Sequence, residues 1–291
     1  MSTQQYDSTW IALRAVIISF FVIVGLIANG IVLQIYMGYK GNQKQASHLY
    51  IIILAWLDLI SCCVILPQMP LFKYGIIPQK ILGVQFSLQL QSYVFVQVAM
   101  VLDRFFAVFY PFKFHQIRRK TNIVLLIAFI LIQSLTQFLG ILVHVLITII
   151  PLVAVCIFGL FTTFLAYPAI AIKLWRQNRQ INPTETQRIQ TLGVTSRNVK
   201  MVSETQQRTA HHIKTLKLFI AVLTLYLMSF LPLMLTMALS LKGMETPTVY
   251  LYYINNVGNP FIYFIFISSF RNDVKALFGK WFLKIRSCTS T

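Results

Sequence analysis

Few residues in this chain can do chemistry. Asp103 and Arg104 stand side by side in "MVLDRFFAVFYPFKF", residues 100–114, at the end of a run with no other charge. An adjacent acid and base lower each other's cost in an apolar setting, so this pair reads as an ion pair at a membrane interface. Asp58 is the lone charge in residues 45–72, in "LAWLDLI". A carboxylate there needs polar partners, roughly 2.5–3.5 kcal/mol being the cost of one charge at the centre of a spanning helix. Asn29 in "GLIANGIVL" and Asn255, Asn256 and Asn259 in "YINNVGNPFIY" offer them, which gives a buried polar network of Asn29, Asp58, Asn255, Asn256 and Asn259. Catalysis finds no support. There is no His-Glu-x-x-His, and His211–His212 adjoin a basic loop rather than carboxylates. No catalytic residue, metal site or cofactor is expected, and the chain reads as a non-enzyme.

The elements that must position these residues follow from charge depletion. The chain is 57% hydrophobic and 11% charged, against about 25% charged in a soluble domain. Residues 15–39, 81–102, 121–172, 218–241 and 246–270 lack Asp, Glu, Lys and Arg entirely. About 20 apolar helical residues cross a bilayer, so these segments and residues 45–72 hold one span each, except 121–172, which fits two. The sequence therefore predicts an all-α membrane protein: a seven-transmembrane helix bundle over residues 11–267.

The net charge of +18 is a topology signal rather than a nucleic-acid footprint. With the N-terminus outside, only Arg14, Lys73, Lys80 and Lys242 of the 25 basic residues lie near the outer face. The others fall on the opposite side, as the positive-inside rule expects. Residues 1–10 are then an extracellular N-terminus without a cleavable signal pattern, and the C-terminus is cytosolic. The expected location is the plasma membrane, multi-pass, with membrane lipids as partners and no nucleic acid.

Along the chain, the first span runs from about Ile11 to Met37, the second from His48 to Phe72 and the third from Ile81 to Tyr110, where Pro111 stops it. The fourth and fifth fill Asn122 to Trp175. Residues 176–211, rich in Gln, Thr, Arg and Asn, read as a mobile cytosolic loop. The sixth span runs from His212 to Leu241 and the seventh from Thr248 to Ile267. Pro232 and Pro260 free backbone groups within these two and permit bending. Residues 268–291 form a short amphipathic cytosolic helix and tail. Phe270, Val274, Leu277, Phe278 and Trp281 share one face of it and Arg271, Lys275, Lys280 and Lys284 the rest, a pattern suited to anionic headgroups. Cys288, just beyond, is a candidate for palmitoylation.

Together these residues resemble a rhodopsin-like (class A) G-protein-coupled receptor across nearly the whole chain. Asn29 matches that family's span-1 asparagine, "LAWLD" its Leu-Ala-x-x-Asp, and Asp103, Arg104, Phe105, Ala107 and Pro111 its Asp-Arg-Tyr-x-Ala-x-x-x-Pro, with Phe for Tyr. "SFLP", residues 229–232, resembles Cys-Trp-x-Pro, and "NPFIY", residues 259–263, matches Asn-Pro-x-x-Tyr. The style is similar to invertebrate orphan and chemosensory receptors, including the nematode serpentine type. The resemblance implies that Asp103 neutralises Arg104 in a resting state. On activation the arginine is released, span 6 swings about Pro232, and a heterotrimeric G protein inserts against Arg104, Pro111 and the third loop. Tyr167 and Tyr263 would hold the open form, with Asn259 and Pro260 part of the switch.

Departures from the family are as informative. His212 stands where an acidic residue often caps the arginine, which weakens the expected resting lock. Tyr93 stands where the family's sodium pocket has a small hydroxyl, and Gln79 where span 3 usually has its cysteine. Two spans of about 20 residues within 121–172 leave roughly 12 for the connection between spans 4 and 5. A signalling-deficient truncated variant lacking extracellular loop 2 is therefore one alternative reading. A seven-span transporter or channel is another, though Asp58 alone is charged at mid-membrane.

For the ligand, Phe86 replaces the aspartate of amine receptors and Tyr253 the retinal lysine of opsins, which disfavours both. Gln85, Phe86, Gln89, Phe230, Tyr250 and Tyr253 are the candidate contacts, with His144, Tyr252 and Asn255 also in the outer halves. Set among many apolar residues, they suit a neutral or weakly polar small molecule or a short peptide, and an orphan chemosensory or neuropeptide-type receptor.

Overall fold

The computed structural model describes residues 2–39, 46–68, 76, 78–111, 145–180, 196–238 and 245–289. Among them there are helices and no strand. Helix α1 is Ser2–Gly38, and α2 is Ala46–Ile60, continued by a π-helical turn at Ser61–Ile65. Then come α3 Gln79–Phe109, α4 Val145–Gln180, α5 Ser196–Ala238, α6 Glu245–Phe266 and α7 Ser268–Thr289. Helix is the form that closes every backbone hydrogen bond within one segment, which an uncharged stretch in hydrocarbon requires.

Among the described residues five stretches are long and apolar enough to cross a membrane: Ala12–Gly38, His48–Gln68, Val84–Phe109, Ala154–Gln177 and Thr209–Leu233. They stand where the first, second, third, fifth and sixth spans are expected. The fourth, its connection to the fifth as far as His144, and the side chain of Cys288 lie outside the described residues. Helix α6 stands in the seventh place. Its asparagines and tyrosines lower its hydropathy, and it is not among the five.

Polarity is inverted relative to a water-soluble core. Leu13, Phe20 and Ile27 of α1, Phe161, Phe164 and Leu165 of α4, and Met228 and Leu231 of α5 are exposed, while Asn29, Asp58, Gln89, Asn256 and Asn259 are buried. Water would penalise both features; a hydrocarbon surround favours the first and forces the second to find internal partners.

Three boundaries differ from the sequence reading. Helix α1 begins at Ser2, so the polar N-terminal segment is helical; its 37 residues reach about 55 Å, well beyond a bilayer core. Helix α4 begins at Val145 and takes up much of the roughly 12-residue connection expected before the fifth span. The 176–211 segment, expected to be loop, is helical to Gln180 and again from Ser196. No glycine or proline falls between Ser196 and Leu231, so a helix nucleated in the apolar stretch propagates outward through polar residues.

The ends of α3 and α6 follow the expected chemistry. Tyr110 leaves the helical conformation while its N–H still bonds Phe106 O at 2.9 Å, and Pro111 has no N–H with which to continue. Arg271 donates from Nη1 to Phe264 O at 3.1 Å and Ile265 O at 2.7 Å, covering carbonyls that the end of α6 leaves open. Helix α7 then anchors by Phe270, which is buried, and exposes Phe278, Trp281, Phe282 and Ile285 along one stripe.

Candidate functional site

Near the C-terminal end of α3 the helix turns Asp103 and Arg104 into the bundle, 3% and 5% exposed. Arg104 Nη2 lies 2.7 Å from Asp103 Oδ2, an ion pair within hydrogen-bond distance. Helix α5 supplies Phe219, whose ring centroid lies 5.5 Å from the guanidinium carbon. Tyr167 of α4 and His211 of α5 are within electrostatic reach of Arg104. His212, the residue expected there, packs against His211 with 6.2 Å between ring centroids. Pro111 is exposed just past this corner.

Deeper in the bundle lies Asp58, fully buried on α2. Its Oδ1 accepts from the Tyr93 hydroxyl of α3 and its Oδ2 from Asn259 Nδ2 of α6 at 3.0 Å. Tyr93 Oη is also 3.2 Å from Asn256 Oδ1. Tyr93, which stands where the resemblance leads one to expect a small hydroxyl, thus shares the Asp58 carboxylate with Asn259. Asn29 donates to Gly25 O at 3.0 Å and to Asn256 O at 2.9 Å. That second carbonyl is the one Pro260 cannot satisfy, because a proline four residues on lacks the N–H. The pairing of Asn29 with Pro260 therefore has a backbone cause. Asn255 is buried, yet its Nδ2 finds no hydrogen-bond partner among the described residues.

The network continues outward through residues read from sequence as ligand contacts. Gln89 accepts at Oε1 from the Tyr252 hydroxyl, and its Nε2 lies 3.4 Å from Asn256 Oδ1 and from Leu57 O. Ser61 Oγ, carried in by the π-helical turn, is 2.7 Å from Tyr252 Oη. Because Tyr252 gives its proton to Gln89, Ser61 is the donor. Gln89 is thus committed inside the bundle. Above it Phe86, Phe230 and Tyr252 pack as a cluster, with centroid separations of 6.1 Å for Phe86–Phe230, 5.0 Å for Phe86–Tyr252 and 5.4 Å for Phe230–Tyr252. Phe230, two residues before Pro232, also meets Tyr93 at 5.6 Å, so this cluster rests directly on the polar network. Tyr253 packs on Tyr250, on Phe21 of α1 and, at 6.1 Å, on Tyr252 of this cluster. Gln85 Oε1 is buried without a hydrogen-bond partner among the described residues.

Three tyrosine hydroxyls are left over. Tyr36 Oη, Tyr167 Oη and Tyr263 Oη are buried and find no hydrogen-bond partner among the described residues. Below Tyr263, Phe270 stacks on Tyr36 at 5.7 Å with 4° between planes and meets Tyr263 edge-on at 6.4 Å. Tyr39 donates to Asp273 Oδ2, joining the end of α1 to α7. Burial, and then that bond, raises the Tyr39 phenol above its usual range, so it stays a donor.

Sequence reasoning missed Phe219, Ser61 and the Tyr39–Asp273 bond. Phenylalanine on an apolar helix and serine in a span give no periodic signal. Among the described residues no group of three or more His, Cys, Asp and Glu could hold a metal ion.

The family model described as 7 transmembrane receptor (rhodopsin family) matches residues 28–145. The match contains Asn29, Asp58, Tyr93 and the Asp103–Arg104 pair, and ends before Pro232 and Asn259. It is a receptor family rather than an enzyme family, and it supports the class A resemblance. The nematode serpentine type rests on sequence style alone. No curated protein matches the chain.

Proposed function

We propose that the chain is a seven-span G-protein-coupled receptor of the plasma membrane, a reading supported by the rhodopsin-family match over residues 28–145. Its N-terminus is outside and its tail and α7 inside, against the lipid headgroups. An outer ligand, a small molecule or short peptide of chemosensory or neuropeptide type, is coupled to nucleotide exchange on a heterotrimeric G protein. The observation that carries this reading is the buried Asp103–Arg104 pair at the inner end of α3. A buried arginine is held there by a neighbouring carboxylate, and any movement that breaks the pair presents a free cation at the inner face.

Ligand energy enters as a population shift, because an agonist displaces the equilibrium only by its differential affinity for the two states. The Phe86–Phe230–Tyr252 cluster is the natural place to read that difference, since it holds two of the candidate ligand contacts, Phe86 and Phe230, and meets Tyr93. Rearrangement about Pro232 and Pro260 then transmits it inward. The unsatisfied hydroxyls of Tyr167 and Tyr263 favour a second state, because each unpaired buried group costs about 1–3 kcal/mol until it finds a partner.

Asp103→Asn keeps the shape and removes the counter-charge. Basal nucleotide exchange by co-expressed G proteins should rise at least roughly fivefold at equal surface expression, since even about 1 kcal/mol lost from a buried pair is a factor near five. Adding Arg104→Ala should abolish that rise. A double variant that signals as well as Asp103→Asn alone would remove the role given to Arg104.

A further inference from the structure

The chain has 25 basic and 7 acidic residues, so most cations must find partners other than carboxylates, while 14% of residues are aromatic. At the inner end of α3 this imbalance has a structural expression. Asp103 meets Arg104 at one edge, 2.7 Å away, and Arg104 Nε is buried with no hydrogen-bond acceptor among the described residues. On the α5 side the guanidinium carbon lies 5.5 Å from the centroid of the Phe219 ring, which is buried. The only acidic residue within α5 is Glu204, fifteen positions earlier and about 22 Å along the axis, so no carboxylate of that helix can reach Arg104. The neighbouring α4 uses the same contact: Lys173 Nζ stands 4.3 Å from the Phe109 ring of α3.

We propose that Phe219 is the α5 half of the clamp on Arg104. It is a positioning residue that holds the guanidinium by its face while Asp103 holds the edge, and so keeps the inner end of α5 against α3. A planar cation presents edge donors and a stacking face at once, so the two partners do not compete. The attraction between cation and ring is strongest where water is excluded, as it is here. Release of Arg104 then requires α5 to carry Phe219 away, which couples the arginine to the helix bearing Pro232. This inference rests on the receptor reading for its consequence and on the contact alone for its geometry.

Graded fluorination of the ring tests it in the full-length protein. Phenylalanine, its 4-fluoro, 3,5-difluoro and 3,4,5-trifluoro forms at position 219 differ little in size, while the negative potential of the ring face falls at each step. Spin labels at Tyr110→Cys and Lys214→Cys, with the other cysteines replaced, report the separation of the α3 and α5 inner ends in nanodiscs. The population at long separation should climb stepwise with fluorination, by roughly threefold or more over the series. Phe219→Leu should lie at or beyond its far end, and Phe219→Tyr beside the wild type. A flat fluorine series overturns the clamp, whether Phe219→Leu opens the helix, which assigns packing alone, or leaves it closed. Basal nucleotide exchange is read on the same variants. Stepwise opening without any change in exchange keeps the clamp and overturns the G-protein reading instead.

Discussion

At the scale of single residues, what matters is which side chains have partners and which do not. Asp103 and Arg104 were legible as a pair because charges stand out in an apolar run. Asp58 was legible for the same reason, and so was its need for asparagines. Gln89 was legible as polar, but its assignment to a ligand or to the interior depends on helix rotation, which composition does not encode; the bond from Tyr252 commits it inward. Phe219 was invisible, since its neighbours on α5 are equally apolar. Tyr93 bears the sharpest expectation here. Tyr93→Phe removes the hydroxyl that Asp58 Oδ1 accepts and leaves a buried carboxylate oxygen short of a donor. The loss should be about 1–3 kcal/mol, read as a lower thermal unfolding midpoint in detergent. An unchanged midpoint would mean that water or relaxation replaces the phenol at no cost.

At the scale of elements, existence was legible and boundaries were not. Uncharged runs marked the helices α1, α3, α4, α5 and α6, a run whose lone charge is Asp58 marked α2, and Pro111 marked the end of α3. Polar segments such as residues 196–208 were read as loop because they are rich in Gln, Thr, Arg and Asn, while the deciding fact is that no glycine or proline stops the helix there. Close helix approach was equally hidden. A Cβ on Gly159 would overlap Val94 Cγ1 where α4 crosses α3, whereas a Cβ on Gly30 meets nothing within 4 Å. Val94 is β-branched and stiff about its first torsion, so it yields poorly. Gly159→Ala should therefore destabilise the bundle by about 1–3 kcal/mol. Gly30→Ala should be neutral or stabilising by about 0.5–1 kcal/mol, through helix propensity. Thermal unfolding of the two purified variants checks the contrast, and equal midpoints would mean that α3 and α4 do not approach as closely as described.

At the scale of the whole molecule, the sequence carried the class of protein better than its count of elements. Charge depletion gave membrane helices, and five stretches among the described residues meet the length and hydropathy of a span. The seventh place is filled by a helix whose asparagines serve the polar network and so mask its apolar character, a direct conflict between function and a hydropathy signal. Everything proposed for Arg104 requires that the inner end of α3 face the cytosol, which an odd number of spans with the N-terminus outside provides. Staining one epitope before Met1 and another after Thr291, with and without permeabilising cells, measures this directly. The expected result is an N-terminal epitope accessible on intact cells and a C-terminal epitope revealed only on permeabilisation. Both epitopes accessible on intact cells would give an even number of spans and contradict the receptor reading at its base.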